Sequence, residues 1–400
     1  MNVLIILGTR PEAIKLAPII NTLKGSDFNV KVVATGQHYD LVKHVFEFFQ
    51  IEADFLNCMN PDLLENTACM AKPLKEVMQK YKPDCVIVQG DTLSCYAGAY
   101  TSFLSKIPVL HVEAGLRSHD KFSPFPEEMF RMLTDRLSDV LFAPTKRAVE
   151  SLLKEGFPKD RILLTGNTVV DAIYMAIEYL DRESVKKQLE ELIQRDISAF
   201  GGIVFITSHR RENIGEPMRN IRDAVNELAK KYPYLLFMWS LHKNPLVRKS
   251  ILEDFTAQAD NLVIVEPLTY PQTVYLLEKS LVVISDSGGI QEEACTLKKP
   301  LLITRNVSER MEVVDVGLGK VAGTDKENII KEFENIYRSL EYYQNLAFKN
   351  PYGDGKASER IKNFLSCDKV KNFILNYKRD YKENLDECVK ANSIDSAYWF

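Results

Sequence analysis

The fold class is indicated first by one stretch of the chain, residues 281–294, which reads LVVISDSGGIQEEA. Leu281–Ser285 is an apolar, β-branched run that predicts a buried strand, and Ile290–Leu297 is predicted to be helical. Between them, the segment Ser287–Gly289 lets the backbone turn tightly and exposes free amides at the helix start. A strand, a glycine turn and a helix in this order are typical of an α/β domain with a parallel sheet.

The same alternation of strands and helices continues on both sides of this stretch. Further strands are predicted at Val3–Leu7, Val30–Thr35, Cys85–Gln89, Val109–Val112, Val140–Ala143, Ile203–Thr207, Leu235–Leu241, Leu262–Val265 and Leu301–Thr304. Helices are predicted to begin near Pro11, Asp40, Leu93, Glu127 and Thr145 and to span Arg219–Tyr232, Pro245–Thr256, Pro271–Lys279 and Asp325–Tyr343. The strands are apolar on both faces, as in parallel sheets covered by helices.

The alternation lapses in the charged segment 178–200 and then restarts. We therefore predict an α/β protein of two Rossmann-like, doubly wound domains that face each other across a cleft, the first over residues 1–170 and the second over 171–350. Residues 367–400 form a charged tail whose pattern fixes no structure; it is either partly ordered or an added helix.

Composition narrows the class of protein. The chain has 400 residues and a formal net charge of -4, which does not suggest a nucleic-acid binder. Its 7 cysteines form no CxxC pair, so we expect neither a metal nor a disulfide framework. Cys85 and Cys95 lie in apolar runs and are predicted to be buried thiols. The apolar run Met1–Leu7 is too short for a secretory signal and no stretch is long enough for a membrane span, so we expect a cytoplasmic protein.

The first domain carries charged side chains where its strands end. Arg10 and Lys15 follow the first strand and could bind an anion, although a capped helix with two surface cations has the same pattern. Asp91 and Glu113 follow later strands, and Glu127 opens a helix. Each carboxylate alone could be a helix cap or a paired charge, but together at a ligand-binding edge they predict acid/base groups.

The second domain has the features of a diphosphate site. His209 is followed by two arginines, which can bind phosphate through two hydrogen bonds each, unless they form a solvated cluster. His242 ends the next strand and is either a ligand contact or a satisfied strand-end histidine. We expect the amides of Ser287, Gly288 and Gly289 to face the phosphates and Glu293 to reach ribose hydroxyls, although a tight turn with an ordinary helix start has the same pattern. The chain lacks GxGxxG and the Walker lysine, so no nicotinamide or ATP cofactor is expected, and no D-x-D or HExxH motif indicates a metal.

Eight motifs in order resemble one known family. They are GTRPEAIKLAP (8–18), GDT (90–92), HVEAGLRS (111–118), SPFPEE (123–128), GNTVVDA (166–172), SHRREN (208–213), DSGGIQEEA (286–294) and NPYGDGKASERI (350–361). This series is similar to the non-hydrolysing UDP-N-acetylglucosamine 2-epimerases. The resemblance implies the two-domain GT-B fold, a helix within 351–366 that crosses back to the first domain, and a homodimer.

The resemblance also implies the chemistry. Arg10, Lys15, Asp91, Glu113, Glu127 and His209 match the family's active-site residues, and Ser287, Gly288, Glu293 and Arg310 match its UDP-binding residues. The implied reaction inverts C2 of UDP-N-acetylglucosamine, or of a close UDP-acetamido sugar, by elimination and re-addition of UDP, in cell-surface polysaccharide biosynthesis. A hydrolysing 2-epimerase, a GT-B glycosyltransferase and a non-catalytic nucleotide-sugar sensor are the alternatives.

Members of this family can also be activated by their own substrate at a second site. Gln37, His38 and Glu128 match its residues. Tyr39 stands where an arginine is common, and the nearest downstream cation is Lys72, which offers a point charge in place of a planar fork. We therefore expect weak or absent substrate activation.

Overall fold

The computed structural model describes residues 1–37, 39–56, 58, 62–253, 255, 259–306, 310–377 and 382–395. The chain divides into two compact units, the first made of Met1–Met175 with Tyr352–Phe400 and the second of Ala176–Pro351. Each unit is built on one parallel sheet with helices between successive strands. This confirms the prediction of two Rossmann-like α/β domains.

The first unit begins with seven strands and seven helices. The strands are β1 (Asn2–Leu7), β2 (Asn29–Ala34), β3 (Asp54–Phe55), β4 (Cys85–Gln89), β5 (Val109–Val112), β6 (Val140–Ala143) and β7 (Ile162–Leu164). The helices are α1 (Arg10–Lys24), α2 (Tyr39–Phe49), α3 (Leu63–Tyr81), α4 (Leu93–Leu104), α5 (Glu127–Leu137), α6 (Lys146–Lys154) and α7 (Thr168–Tyr179), the last of which continues into the second unit.

The second unit repeats this plan. Its strands are β8 (Ile203–Thr207), β9 (Leu236–Ser240), β10 (Leu262–Val265), β11 (Ser280–Ser285), β12 (Leu301–Ile303) and β13 (Gly319–Val321). Its helices are α8 (Arg182–Ile193), α9 (Glu216–Lys231), α10 (Pro245–Leu252), α11 (Tyr270–Lys279), α12 (Gly288–Thr296), α13 (Glu312–Asp315), α14 (Lys326–Arg338) and α15 (Leu340–Asn345).

The order of strands fixes where ligands can bind. The first sheet runs β3-β2-β1-β4-β5-β6-β7, and the second runs β10-β9-β8-β11-β12-β13. The chain therefore reverses its direction of winding between β1 and β4 in one sheet and between β8 and β11 in the other. Open α/β sheets bind ligands beyond the carboxyl ends of their strands at such a switch point.

Burial explains why these runs form central strands. Val3 to Leu7 of β1 and Val282 to Ile284 of β11 are completely buried. Each large apolar side chain removed from water in this way stabilises the fold by about 1.5–3 kcal/mol. Because central parallel strands are covered on both faces, most of their positions are apolar, and the sequence pattern located them within a residue or two.

The C-terminal segment carries helices and a disulfide. Helices α16 (Ala357–Ser366), α17 (Asp368–Leu375) and α18 (Asp386–Asn392) belong to the first unit, so the described part of the tail contains helices. The expectation of no disulfide is wrong for Cys367 and Cys388, whose sulfurs are bonded with a Cα–Cα distance of 6.5 Å. The cause is tertiary: α18 packs against α16 and brings together two cysteines that are 21 residues apart.

The sequence prediction missed the helix α3, of 19 residues, and the helix α8, which lies in the charged segment where the pattern lapses. Further differences come from short or interrupted elements. The sequence missed β3, β7 and β13, which have only two or three residues and give no periodic signal. The predicted helix over 325–343 is divided at Ser339 into α14 and α15. Within the described residues, no helix is long and apolar enough to cross a bilayer.

Candidate active site

Predicted site residues of each unit lie along the edge of its sheet where the strands end, on both sides of the switch point, and each of these two groups is termed a half-site. In the first unit, Arg10 opens α1 directly after β1, and Asp91 follows β4. In the second unit, His209 follows β8, and Ser287 follows β11. The topology alone therefore brings residues from distant parts of the chain to the edge where an α/β sheet binds ligands.

Lys15 and Glu113 form a buried ion pair in the first half-site. Lys15 Nζ lies 2.8 Å from Oε1 and 2.7 Å from Oε2 of Glu113, and Gln89 donates a third hydrogen bond to this carboxylate. Both charged residues are 7% exposed. Glu113 also has a φ of 69°, a left-handed conformation that costs a non-glycine residue roughly 1–2 kcal/mol. Such strain at a buried carboxylate is a feature of functional sites.

Asp91 is held by Arg131, an arginine on helix α5. The Arg131 guanidinium on α5 donates to Asp91 Oδ2, and its other terminal nitrogen lies 3.2 Å from Glu128 Oε2. Glu128 in turn accepts hydrogen bonds from the amides of Ser118 and His119 at 3.0–3.1 Å. Asp91 is thus fixed in place by Arg131, which is itself buried.

Glu127 is the first residue of α5 and is the least engaged of the three carboxylates. Its Oε2 atom is buried, and within the described residues it has no hydrogen-bond partner. A buried carboxylate oxygen without a donor is costly to keep in a folded protein. An unsatisfied acceptor at the ligand-binding edge is compatible with a group that receives a proton from a bound substrate.

Asp286 organises the second half-site. Its buried carboxylate accepts hydrogen bonds from the amides of His209, at 2.9 and 3.1 Å, and of Arg210, at 3.1 Å. Asn213 Nδ2 donates to the same group at 2.9 Å. The His209 Nδ1 atom lies 3.3 Å from Asp286 Oδ1. The segment after β8 is therefore tied to the end of β11.

Helix α12 presents its N-terminus between two guanidinium groups. Ser287 is its N-cap, and a Cβ atom added to Gly288 would lie 3.3 Å from Arg310 Nε and 3.4 Å from a terminal nitrogen of Arg210. Arg310 Nε is 3.1 Å from Glu292 Oε1, which fixes its direction. Free helix amides flanked by two arginines bind a diphosphate well, because both the dipole and the side chains are positive there.

Two histidines border this N-terminus. The rings of His209 and His242 stack with their centroids 5.4 Å apart. Burial lowers the pKa of His209, against the opposing effect of Asp286, and burial also lowers the pKa of His242. Both imidazoles are therefore biased towards the neutral form. Glu293 lies on α12 after its first turn and is also buried.

Comparison with known proteins identifies the family. A family model described as UDP-N-acetylglucosamine 2-epimerase matches residues 21–366. The chain belongs to the UDP-N-acetylglucosamine 2-epimerase family. The UDP-N-acetylglucosamine 2-epimerase of Neisseria meningitidis is 45% identical over 366 residues, which cover 90% of this chain and 98% of that protein.

Solved structures of family members have the same fold. The crystal structure of UDP-GlcNAc 2-epimerase from Neisseria meningitidis bound to UDP-GlcNAc superposes with a TM-score of 0.85 at 43% identity, covering 92% of this chain and all of that one. The Methanocaldococcus jannaschii UDP-GlcNAc 2-epimerase in complex with UDP-GlcNAc and UDP gives 0.79 at 36% identity, covering 92% of this chain and 99% of that one.

Of the three residues matched to the family's second, activating site, Gln37 and Glu128 are described by the structure and have different surroundings. Gln37 lies after β2, and its Oε1 atom accepts a hydrogen bond of 2.9 Å from Ser94. Glu128 is 1% exposed and is already bound to two backbone amides and Arg131. His38 lies outside the described residues.

Sequence reasoning missed several residues of this 2-epimerase family site. They are Glu12, Gln89, Thr92, Arg131, Asp286 and Glu292. Most of them contact a predicted residue and would not contact substrate, so their signal is weak in the sequence. Arg131 was the easiest of them to predict from the sequence. It lies three residues after Glu128 and four after Glu127 on one helix, which is the spacing of side chains that meet. No group of three or more metal-ligating side chains occurs within the part of the chain that is described.

Proposed function

We propose that the chain inverts C2 of UDP-N-acetylglucosamine to give UDP-N-acetylmannosamine, or acts in the same way on a close UDP-acetamido sugar. The observation that carries the proposal is the membership of the 2-epimerase family, together with the buried Lys15–Glu113 pair at the ligand-binding edge. Relatives at this level of identity were solved with UDP-GlcNAc and with UDP.

The chemistry requires elimination before epimerisation. The C2 hydrogen of the sugar is not next to a carbonyl, so a simple base cannot remove it. The bond between C1 and the UDP oxygen breaks first, and UDP takes the electron pair. Loss of the C2 proton to a base then forms the C1=C2 double bond of 2-acetamidoglucal. Return of a proton to the opposite face of C2 and re-addition of UDP to C1 give the epimer, with all atoms conserved.

The second half-site suits the departing UDP. The amides of Gly288 and Gly289, with Arg310 and the neighbouring Arg210, would neutralise the diphosphate as its charge grows. The Ser287 amide, which the sequence also predicted for this role, instead donates to Ser285 Oγ at 3.0 Å. Stabilising charge that develops in a transition state is often the largest catalytic contribution, about 3–4 kcal/mol per donor in one known case. His209 would donate to the diphosphate, Glu293 would bind the ribose hydroxyls, and His242 would line the same pocket.

The first half-site suits the proton transfers. Removal and return of a proton on opposite faces need two acid/base groups, and Asp91, Glu113 and Glu127 are the candidates. Lys15, whose Nζ atom lies 2.7 Å from Glu113 Oε2, would hold that carboxylate in place. Arg10, at the start of α1, would bind a phosphate oxygen beside the helix dipole. No cofactor enters this scheme.

One incubation tests the proposal. The protein is incubated with UDP-N-acetylglucosamine in deuterium oxide, and the products are followed by NMR and mass spectrometry. We expect one deuterium at C2 in both epimers of the UDP sugar. A sugar pool without deuterium would reject the mechanism, and release of free N-acetylmannosamine with UDP would instead favour the hydrolysing reaction. Asp91→Asn, Glu113→Gln and Glu127→Gln are each expected to slow exchange by at least about 10²-fold.

A further inference from the structure

Glu12 spans the switch point of the first sheet. Its Oε2 atom accepts hydrogen bonds from Gly8 N at 3.1 Å and from Thr9 N and Oγ1 at 2.7 Å. Its Oε1 atom accepts one from Thr92 Oγ1 at 2.7 Å. Gly8 and Thr9 follow β1, whereas Thr92 follows β4. One carboxylate therefore joins the two strand ends between which the sheet changes its direction.

A local role does not account for this arrangement. A glutamate at the third position of a helix commonly returns to the N-cap amide, and the Oε2 contacts to Thr9 meet that description. The Oε1 contact crosses 80 residues of sequence to another helix cap. The side chain is also only 1% exposed, whereas a capping glutamate needs no burial. Burying a carboxylate is costly unless several donors compensate, as they do here.

The neighbours of these contacts are the predicted site residues. Arg10 follows Thr9 directly, and Asp91 precedes Thr92 directly. The second unit has an equivalent arrangement. The buried Asp286 carboxylate after β11 accepts hydrogen bonds from the amides of His209 and Arg210, which follow β8. In each unit one buried carboxylate thus bridges the strand ends that carry site residues.

We propose that Glu12 is a positioning residue, which holds the Arg10 segment and the Asp91 segment at a fixed separation through its bond to Thr92. This inference rests on the proposed function. A displacement of about 1 Å in a catalytic group can cost about 10²-fold in rate, so loosening this contact is expected to lower turnover although Glu12 itself is buried.

The test measures kcat, KM and thermal unfolding of three variants with UDP-N-acetylglucosamine. Thr92→Val keeps the shape of the side chain and removes the hydroxyl that Glu12 receives; we expect kcat to fall at least about tenfold with KM within about twofold. Thr92→Ser restores the hydroxyl, and we expect it to restore most of kcat. Glu12→Ala releases both segments, so we expect a lower kcat together with a raised KM.

A matched control separates positioning from helix capping. Thr92 caps α4 through Cys95 N at 3.1 Å, and Thr145 caps α6 in the same unit through Ala148 N at 3.2 Å. Thr145→Val therefore loses an equivalent cap, and we expect a lower unfolding temperature with an unchanged kcat. If Thr92→Val fails to fold, Glu12→Asp replaces it, because the shorter side chain withdraws from Thr92 and is expected to lower kcat in the same way.

Two results would overturn the inference. One is a folded Thr92→Val protein with the wild-type kcat, and the other is a Thr145→Val protein that loses as much kcat as Thr92→Val. Failure of the proposed function has a different signature, because the wild-type protein itself would then produce no epimer.

Discussion

Lys15 Nζ contacts both carboxylate oxygens of Glu113, at 2.8 and 2.7 Å, although the two residues are 98 positions apart in the sequence. Lys15 lies in the second turn of α1, and Glu113 directly follows β5. Their pairing neutralises two charges that would each be costly to bury alone.

The first prediction concerns this pair. Lys15→Met leaves the Glu113 carboxylate buried without its cation, and we expect a loss of about 3–5 kcal/mol in the free energy of unfolding by urea. The double variant Lys15→Met/Glu113→Gln should recover part of that stability but no epimerase activity. An equally stable Lys15→Met protein would contradict the assignment of a desolvated ion pair.

The second prediction concerns UDP binding by α12. Glu293→Ala removes a buried acidic side chain one turn from the helix start, and we expect at least about tenfold weaker UDP binding, the cost of one charge-assisted hydrogen bond. Isothermal titration calorimetry measures it. Glu327→Ala, at an exposed position at the start of α14, is the control and should bind UDP with the wild-type affinity. Unchanged affinity in Glu293→Ala would remove this residue from the UDP site.

The third prediction is a pH dependence of stability. Burial raises the pKa of the Glu12 carboxyl from 4.5 to about 7, against the opposing hydrogen bonds from Thr92 and Thr9. The folded protein therefore holds this proton more tightly than the unfolded chain. The stabilisation is fully present below pH 4.5 and is lost as the pH rises through 7, by up to roughly 3 kcal/mol.

The measurement compares wild type with Glu12→Gln by urea unfolding at pH 5 and pH 8. Because the variant cannot titrate at this position, its stability should gain on that of the wild type as the pH rises. Burial raises the pKa of the Cys95 thiol, and the charges of Glu12 and Asp91 add to this effect. Taking the difference between the two proteins removes contributions that both share. A difference that is constant with pH would contradict the prediction.

The fourth prediction concerns the C-terminal segment. The Arg161 guanidinium lies 4.4 Å from the centre of the Phe373 ring, Tyr377 donates to Asp139 at 2.8 Å, and Ile394 N donates to Leu164 O of β7 at 2.7 Å. The Cys367–Cys388 bond closes this segment, and closing a loop of such length stabilises a fold by about 3 kcal/mol. We expect dithiothreitol to lower the stability of the wild type by about this amount.

Cys388→Ser should have the lower stability with or without dithiothreitol. Cys69→Ser, which changes an exposed free cysteine, should respond to the reductant as the wild type does. A wild-type protein that is indifferent to the reductant would show that the two cysteines are thiols in solution, as a reducing compartment such as the cytosol would favour.

The fifth prediction is weak or absent activation by substrate. Glu128 already satisfies two backbone amides and Arg131, so its carboxylate is poorly available to a second nucleotide sugar. The reverse reaction, started from the manno epimer alone, should proceed without a long lag. A lag that a trace of the gluco epimer abolishes would contradict this prediction.

The sequence by itself determined the elements that are buried on both sides and the residues at their ends. β4, β5 and β6 begin and end where their largely apolar runs do, because a central parallel strand is covered by helices on both faces. The end of such a run is also the ligand-binding edge. The sequence alone therefore predicted four site residues there: Asp91, Glu113, His209 and Ser287. Short edge strands such as β3 and β13 lack that signal.

Only the tertiary structure decided which of these residues meet. The pairing of Lys15 with Glu113, the grip of Arg131 on Asp91 and the bond between Glu12 and Thr92 all join different elements of the sheet edge. Their partners are 40 or more positions apart, and each contact depends on strand order, which no local pattern encodes. The same reason hid the Cys367–Cys388 bond, because two short helices had to pack on the first unit before the sulfurs could meet.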